Sequence, residues 1–119
     1  MSGNVHWNLE MAVKDGQLDA FKALMAEMVA ATQANEPGTM NYEWFLSEDG
    51  RTCHIYERYQ DSAATLVHLG SFGKLYAERF MAAATPTRFS LYGAPSDEVK
   101  QALAPIGAVH FGQIGGFAR

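Results

Sequence analysis

The sequence has a single cysteine, Cys53, in 119 residues. One cysteine cannot close a disulfide within the chain, so a disulfide-stapled domain is excluded and a reducing, cytoplasmic location is expected. The first residues, 1–7, lack the basic and apolar regions of a signal peptide, which agrees with that expectation. No apolar run approaches the roughly 20 residues that span a bilayer, so no membrane partner is expected.

The chain also lacks a basic block. Its formal net charge is −4 at neutral pH, so nucleic acid is not expected as a partner. Charged residues make up 18% of the chain and hydrophobic residues 48%, a balance that often leaves apolar side chains for a subunit interface. The length suits one domain with a modest core.

Motifs of several enzyme classes are absent as well. The histidines, at positions 6, 54, 68 and 110, lie on different predicted elements without Cys/His ligand spacing, so no metal site is expected. The C-terminal glycines follow no strand-to-helix pattern of the kind that binds phosphate. The sequence contains no nucleophile elbow and no paired carboxylates of recognisable spacing.

Changes in hydrophobic periodicity predict the elements that are present. Period-two alternation predicts four strands, over residues 5–13, 39–47, 52–60 and 87–93. Helical spacing predicts one helix from Leu18 to the stop at Pro37-Gly38 and another after Asp61. Because Gly70 and Gly73 weaken the second helix, it is expected to form two segments, the second capped near Ser71.

The order β-α-β-β-α-β predicts an α+β domain over residues 1–95, with a four-stranded antiparallel sheet and both helices on one face. Bulky side chains on both sheet faces predict that a second copy covers the other face, giving a homodimer through sheet faces. Residues 96–119 are expected to be an arm with a short helix, 96–104, and a short strand within 108–114. The arm is expected to dock on its own domain or on the partner; the alternative is a frayed tail.

Three stretches resemble the antibiotic biosynthesis monooxygenase family. They are the run IYERYQDSAATLVHLGS at 55–71, the Pro-Gly-Thr-x-x-Tyr turn at 37–42, and the opening strand that ends at Gly16. The order and spacing of these motifs agree with the family over residues 5–93. It implies a ferredoxin-like fold whose sheets pair into a dimeric α/β barrel. It also implies oxidation of a small electron-rich aromatic, such as a quinol, phenol or anthrone, by O2 without a cofactor.

The resemblance does not extend to the haem-degrading relatives. Those proteins place an iron-ligating histidine where this chain has Tyr76, Ala77 and Glu78. They also use a tryptophan near the position of His68. Haem breakdown is therefore not expected.

Three residues are candidate catalytic groups. His68 matches the family's helix histidine and, with a pKa near neutrality, would suit a general base; the alternative is a structural histidine bonded to a strand. Glu57 matches the family's third-strand glutamate, and strand parity places it among apolar neighbours; the alternative is an ion pair with Arg58 of a neighbouring strand or with Arg88. Asn8, on the polar side of the first strand, would hold an oxygen atom if it points into the barrel; otherwise it is an edge hydrogen-bonder.

Aromatic side chains are the candidates for substrate binding, namely Tyr42, Trp44, Tyr56, Tyr59 and Phe72. Such residues are more often core, so only one or two are expected to face a ligand. The resemblance to the family therefore implies a cofactor-independent monooxygenase. The alternative is a non-catalytic homodimer that binds a small aromatic or acts in a stress response, and an apolar cavity without a convergent acid/base pair would favour it.

Overall fold

The computed structural model describes residues 3–119. Its strands are β1 (Val5–Val13), β2 (Thr39–Leu46), β3 (Thr52–Tyr59), β4 (Ala84–Gly93) and β5 (Val109–Phe111). Its helices are α1 (Leu18–Asn35), α2 (Ser62–Leu75), α3 (Ala77–Ala83) and α4 (Asp97–Leu103), followed by a 3-10 turn at Ala104–Ile106. The predicted ferredoxin-like α+β class is confirmed.

The sheet has five strands, in the order β2-β3-β1-β4-β5. The prediction of a four-stranded antiparallel sheet was wrong, because β5 pairs with the outer edge of β4 in the parallel sense. The connection from β4 to β5 passes through α4, and a helical crossover is what parallel neighbours require. The pairing is short, from Ser90↔Val109 to Tyr92↔Phe111, and it covers backbone amides that β4 would otherwise expose at a sheet edge.

The core lies between the sheet and the helices. Alternation along β1 buries every second side chain, Val5, Trp7, Leu9 and Met11, against the helices. On β3 the same alternation buries Cys53, Ile55, Glu57 and Tyr59. The parity prediction for Glu57 is therefore confirmed.

The second helical region breaks at Tyr76, so the prediction of a boundary near Ser71 was wrong. Asp61 caps α2, its side chain accepting a hydrogen bond from the Ala64 amide at 2.8 Å. The helix then runs unbroken through Gly70 and Gly73. Both glycines lie on an open face, where an added Cβ would meet nothing within 4 Å. A helical glycine costs about 1 kcal/mol, and the packing of the opposite face of α2 outweighs that cost.

Two glycines are required by the backbone. Gly50 has φ +73° in the β2–β3 hairpin, a conformation that the Asp49-Gly50 pair allows at a hairpin turn. Gly93 ends β4 at φ +88°, and a Cβ there would lie 2.3 Å from the carbonyl oxygen of Asn4. Only glycine fits where the chain leaves the sheet for the arm.

The first part of the arm docks on its own domain, as expected. The Ser96 hydroxyl caps α4 by accepting a hydrogen bond from the Val99 amide. The backbone amide of Ser96 donates to Ser62 Oγ at 2.9 Å. Val99 and Leu103 of α4 are buried. The last residues do not dock on their own domain: Ile114 is fully exposed and Phe117 is 78% exposed in the single chain. Among residues 3–119, no helix is both long and apolar enough to cross a membrane.

Candidate active site

A cavity of about 40 Å³ lies between the helix-covered face of the sheet and the helices. That volume has room for about three water molecules. Its walls are mostly apolar and include Leu9, Met28, Phe72, Phe80 and Phe89. Trp7, Tyr42, Glu57 and His68 supply the polar atoms. A few polar groups in an apolar cavity are typical of a small-molecule site.

His68 is held between two carboxylates. Its Nδ1 lies 2.8 Å from Glu36 Oε1, and its Nε2 lies 3.2 Å from Glu57 Oε1. The Tyr59 hydroxyl donates to the same Glu57 oxygen at 2.5 Å. The side chains of His68, Glu57 and Glu36 are 6%, 6% and 9% exposed. This cluster of four is therefore shielded from solvent, where charges interact strongly.

Three separate elements bring the cluster together. Glu57 is on the inner face of β3, and His68 is on the side of α2 that faces the sheet. Glu36 follows the last residue of α1, where the Pro37-Gly38 turn sends the chain back towards β2. Thr39 Oγ1 donates to Glu36 Oε1 at 3.3 Å and fixes that carboxylate beside the imidazole.

The two carboxylates make His68 a cation at neutral pH. Burial would lower the pKa of His68, but hydrogen bonds to Glu36 and Glu57, together with their negative charges, raise it to about 9. The expected base with a pKa near neutrality is not what the geometry produces. A protonated imidazole has no free lone pair, so His68 acts as a donor and a positive charge.

The nearby tyrosines remain protonated. Burial, and then the negative charge of Glu57, raise the pKa of both Tyr42 and Tyr59 far above that of free tyrosine. The Tyr59 hydroxyl uses its proton on Glu57 Oε1. Among residues 3–119, the other oxygen of Glu57, Oε2, accepts no hydrogen bond, and Glu57 lines the cavity. The cluster thus offers a carboxylate oxygen that is free to accept a proton from a ligand.

The profile of antibiotic biosynthesis monooxygenases matches residues 5–85. The chain belongs to the antibiotic biosynthesis monooxygenase family. The resemblance found in the sequence is confirmed.

Solved structures of similar proteins agree with this membership. MupZ from Pseudomonas fluorescens is 26% identical, with a TM-score of 0.85 over 98% of this chain and 94% of MupZ. Rv0793 from Mycobacterium tuberculosis is 27% identical, with a TM-score of 0.65 over 79% of this chain and 96% of Rv0793. SnoaB from Streptomyces nogalater, a cofactor-independent oxygenase, is 22% identical, with a TM-score of 0.66 over 80% and 96%. The comparison with curated proteins found no match.

Some of the residues predicted from the sequence meet at the cavity of this family member. His68 and Glu57 are in contact, and the rings of Tyr42 and Tyr59 lie 5.1 Å and 5.2 Å from the His68 ring. Phe72 is part of the cavity wall. Glu57 pairs with neither Arg58 nor Arg88, the partners that the alternative interpretation required; it contacts His68 and Tyr59.

Other predicted residues lie elsewhere. Asn8 and Tyr56 face each other across β1 and β3 on the opposite face of the sheet, where the Tyr56 hydroxyl is 3.2 Å from His6 Nδ1. They do not reach the cavity, because the sheet separates the two faces. Trp44 packs 5.6 Å from Phe21, ring to ring, and lines a separate pocket near Cys53.

Sequence reasoning missed Glu36 and Trp7. Glu36 is 32 positions from His68, and the only available signal was its place at the helix stop before Pro37-Gly38. Trp7 has the parity of the buried β1 residues and lies opposite Glu57 in the register. Within residues 3–119, no cluster of three His, Cys, Asp or Glu side chains is arranged to hold a metal ion. Glu36 and Glu57 bind opposite nitrogens of His68.

Proposed function

We propose that this family member is a cofactor-independent monooxygenase that oxidises a small electron-rich aromatic, such as a quinol, phenol or anthrone, with O2. The observation that carries the proposal is Glu57, a buried carboxylate that lines an apolar cavity, with one oxygen held by Tyr59 and His68 and the other without a hydrogen bond among residues 3–119. Membership of the family supports it. The activity given for the similar SnoaB points the same way.

The chemistry needs a base and a dry, apolar site. Triplet O2 reacts slowly with closed-shell molecules, whereas a deprotonated aromatic passes it one electron directly. In the proposed reaction, Glu57 Oε2 accepts the acidic proton of the substrate, and the anion reduces O2 to superoxide. The two radicals join in a C–O bond to give a peroxide, which recovers the proton. Loss of the remaining hydrogen on that carbon, with O–O cleavage, yields a carbonyl group and water.

The proposed roles of the neighbours follow from charge. The imidazolium of His68, 3.2 Å from Glu57, stabilises anionic intermediates in the cavity. Carboxylates are weak bases, so only a substrate with an acidic C–H or O–H group suits Glu57. Phenols, quinols and anthrones meet that requirement. The mostly apolar cavity walls offer few hydrogen bonds to water beside the radicals.

A non-catalytic protein that binds a small aromatic is the second candidate. It would need only the apolar walls and no acid or base. Here Glu57 and His68 converge on the cavity from different elements, at the cost of burying charged groups. Perturbed titratable groups in a cavity are typical of functional sites, so we favour the enzyme.

Oxygen uptake tests the proposal. We expect the purified protein to consume O2 with at least one member of a panel of quinols, phenols and anthrones, and the product to gain one oxygen atom from labelled O2. The Glu57→Gln protein serves as the background for each compound, and a chelator is expected to leave the rate unchanged. Uptake no faster than this background across the whole panel would rule out the oxygenase and leave the binding protein.

We propose in addition that the chain forms a homodimer through the uncovered face of its sheet, closing a dimeric α/β barrel. That face carries Phe45, Tyr56, Tyr92 and Phe111, by the same alternation that buries their neighbours. Phe45 and Phe111 are 55% and 53% exposed in the single chain. Exposed aromatic side chains on an uncovered sheet face favour an interaction site there. A two-fold axis would pair the patch with itself.

A charge placed on that face is expected to dissociate the dimer. Phe45→Glu would bury a carboxylate at the interface, at a side chain that is largely exposed in the single chain, so the variant should be a folded monomer. Light scattering measures the mass, and circular dichroism checks the fold. Val67→Glu is the matched control, because Val67 is 58% exposed on α2, away from the sheet, and should stay dimeric. A wild-type monomer at micromolar concentration would contradict the proposal.

A further inference from the structure

The indole N–H of Trp7 is buried without a hydrogen-bond partner among the described residues. Trp7 is 2% exposed, and its Nε1 atom is shielded from solvent and unpaired. Buried polar groups in native proteins are nearly always hydrogen-bonded, so an exception of this kind requires an explanation. A ligand that accepts the hydrogen bond supplies one.

Trp7 lies in the same cavity as Glu57. The two residues are directly opposite each other in the register of β1 and β3, and both line the cavity. Side chains at such positions start only about 5 Å apart. The carboxylate does not pair with the indole, since Trp7 Nε1 has no hydrogen-bond partner among the described residues, while Glu57 Oε1 contacts Tyr59 and His68. The lining of this cavity therefore includes one residue with an unpaired donor and, opposite it in the register, one with an unpaired acceptor.

We propose that Trp7 is the oxygen-binding residue of this cavity, its indole N–H donating a hydrogen bond to a carbonyl, phenolic or phenolate oxygen of the ligand. This rests on the proposed function in one respect, that the ligand is an aromatic that carries oxygen. As Glu57 removes a proton, negative charge collects on that oxygen. A hydrogen bond to an anionic acceptor is roughly twice as strong as one to a neutral acceptor, so Trp7 favours the deprotonated substrate.

Trp44 provides an internal comparison. Its Nε1 is also buried and unpaired, but it lines the separate pocket with Phe21, Met25 and Cys53. These are the two tryptophans of the chain, so an NMR spectrum of the ¹⁵N-labelled protein contains one indole N–H signal for each. Substitution of either residue by phenylalanine assigns the signals and removes only one donor and part of one ring.

The test measures binding without turnover, in the absence of O2. The probes are 1-indanone, which has a carbonyl oxygen, and indane, which has the same rings without it. We expect 1-indanone to move the Trp7 indole proton downfield and to leave the Trp44 signal in place. Trp7→Phe should weaken 1-indanone binding roughly five- to thirtyfold and leave indane binding unchanged. Trp44→Phe should change neither affinity.

Three results would overturn the inference. The first is a Trp7 signal that stays in place while 1-indanone saturates other cavity residues. The second is an equal loss of affinity for both probes in the Trp7→Phe protein, which would mean that the shape of the ring matters and not the N–H group. The third is no binding of either probe at millimolar concentration. Binding through Trp7 in a protein that consumes no O2 would preserve this inference and reject the oxygenase.

Discussion

Replacing Glu57 by glutamine is expected to lower the rate of O2 consumption by about 10²–10⁴-fold, the range typical of a lost general base. Glutamine keeps the size of the side chain and a carbonyl oxygen that accepts from Tyr59. It cannot accept a proton from the substrate at neutral pH. Because the loss is in proton transfer, kcat should fall much more than substrate affinity. Steady-state oxygen electrode measurements separate the two.

Glu43→Gln is the matched control for this substitution. Glu43 lies opposite Tyr56 on the far face of the sheet and accepts a hydrogen bond from Asn41 at 2.9 Å, so the same change of charge there should leave the rate unaltered. A Glu57→Gln protein that keeps more than a tenth of the wild-type kcat would show that Glu57 is not the base.

The stability of the protein should fall between pH 6.5 and pH 9 because of His68. Its pKa rises from 6.5 to about 9 on folding, so the folded state binds the proton more tightly than the unfolded chain. The stabilisation is complete below pH 6.5 and is lost as the pH passes 9. At about 1.4 kcal/mol per tenfold change in proton affinity, the free energy of unfolding should drop by about 3 kcal/mol. Denaturant unfolding across this range measures it.

The His68→Gln variant should lack this decline. It leaves Glu36 and Glu57 without their shared cation, and the loss of one partner from a buried pair costs about 3–5 kcal/mol, so the variant should be less stable at pH 6.5. His54→Gln is the control, since His54 is 47% exposed and 3.5 Å from Glu10 on the outer face. If all three proteins show the same pH profile, the charge of His68 does not stabilise the fold.

The sequence predicted the fold correctly where apolar and polar residues alternate over many positions. The nine residues of β1 have the predicted bounds, because a buried face repeated over a long strand leaves a clear period of two. The three residues of β5 are too few to carry such a pattern, and nothing local distinguishes a parallel from an antiparallel partner. The break at Tyr76 was missed because glycine propensity is a weak guide when one helix face packs on a core.

The candidate site was predictable in part. Strand parity was sufficient to bury Glu57, and the motif placed His68 on the helix above it. Which face of the sheet the helices cover depends on tertiary packing and could not be predicted from the strands alone. Asn8 was therefore proposed as a cavity residue, although it lies on the opposite face of the sheet. The charge on His68 depends on Glu36, which is 32 positions away in the chain and lies 2.8 Å from His68 Nδ1 only in the folded structure.

The small size of the cavity limits how fast any ligand can enter. At about 40 Å³ it is well below the roughly 150 Å³ that accommodates a benzene ring. Side chains that are partly exposed at its wall, such as Met81 and Ile106, have to move before an aromatic ring fits. The ligand then binds only the small fraction of molecules whose cavity wall is open. The observed association rate therefore levels off at the opening rate when the ligand concentration is high. The apparent affinity is weakened because the open state is rare. A substitution that raises the population of the open state should therefore increase both the association rate and the apparent affinity.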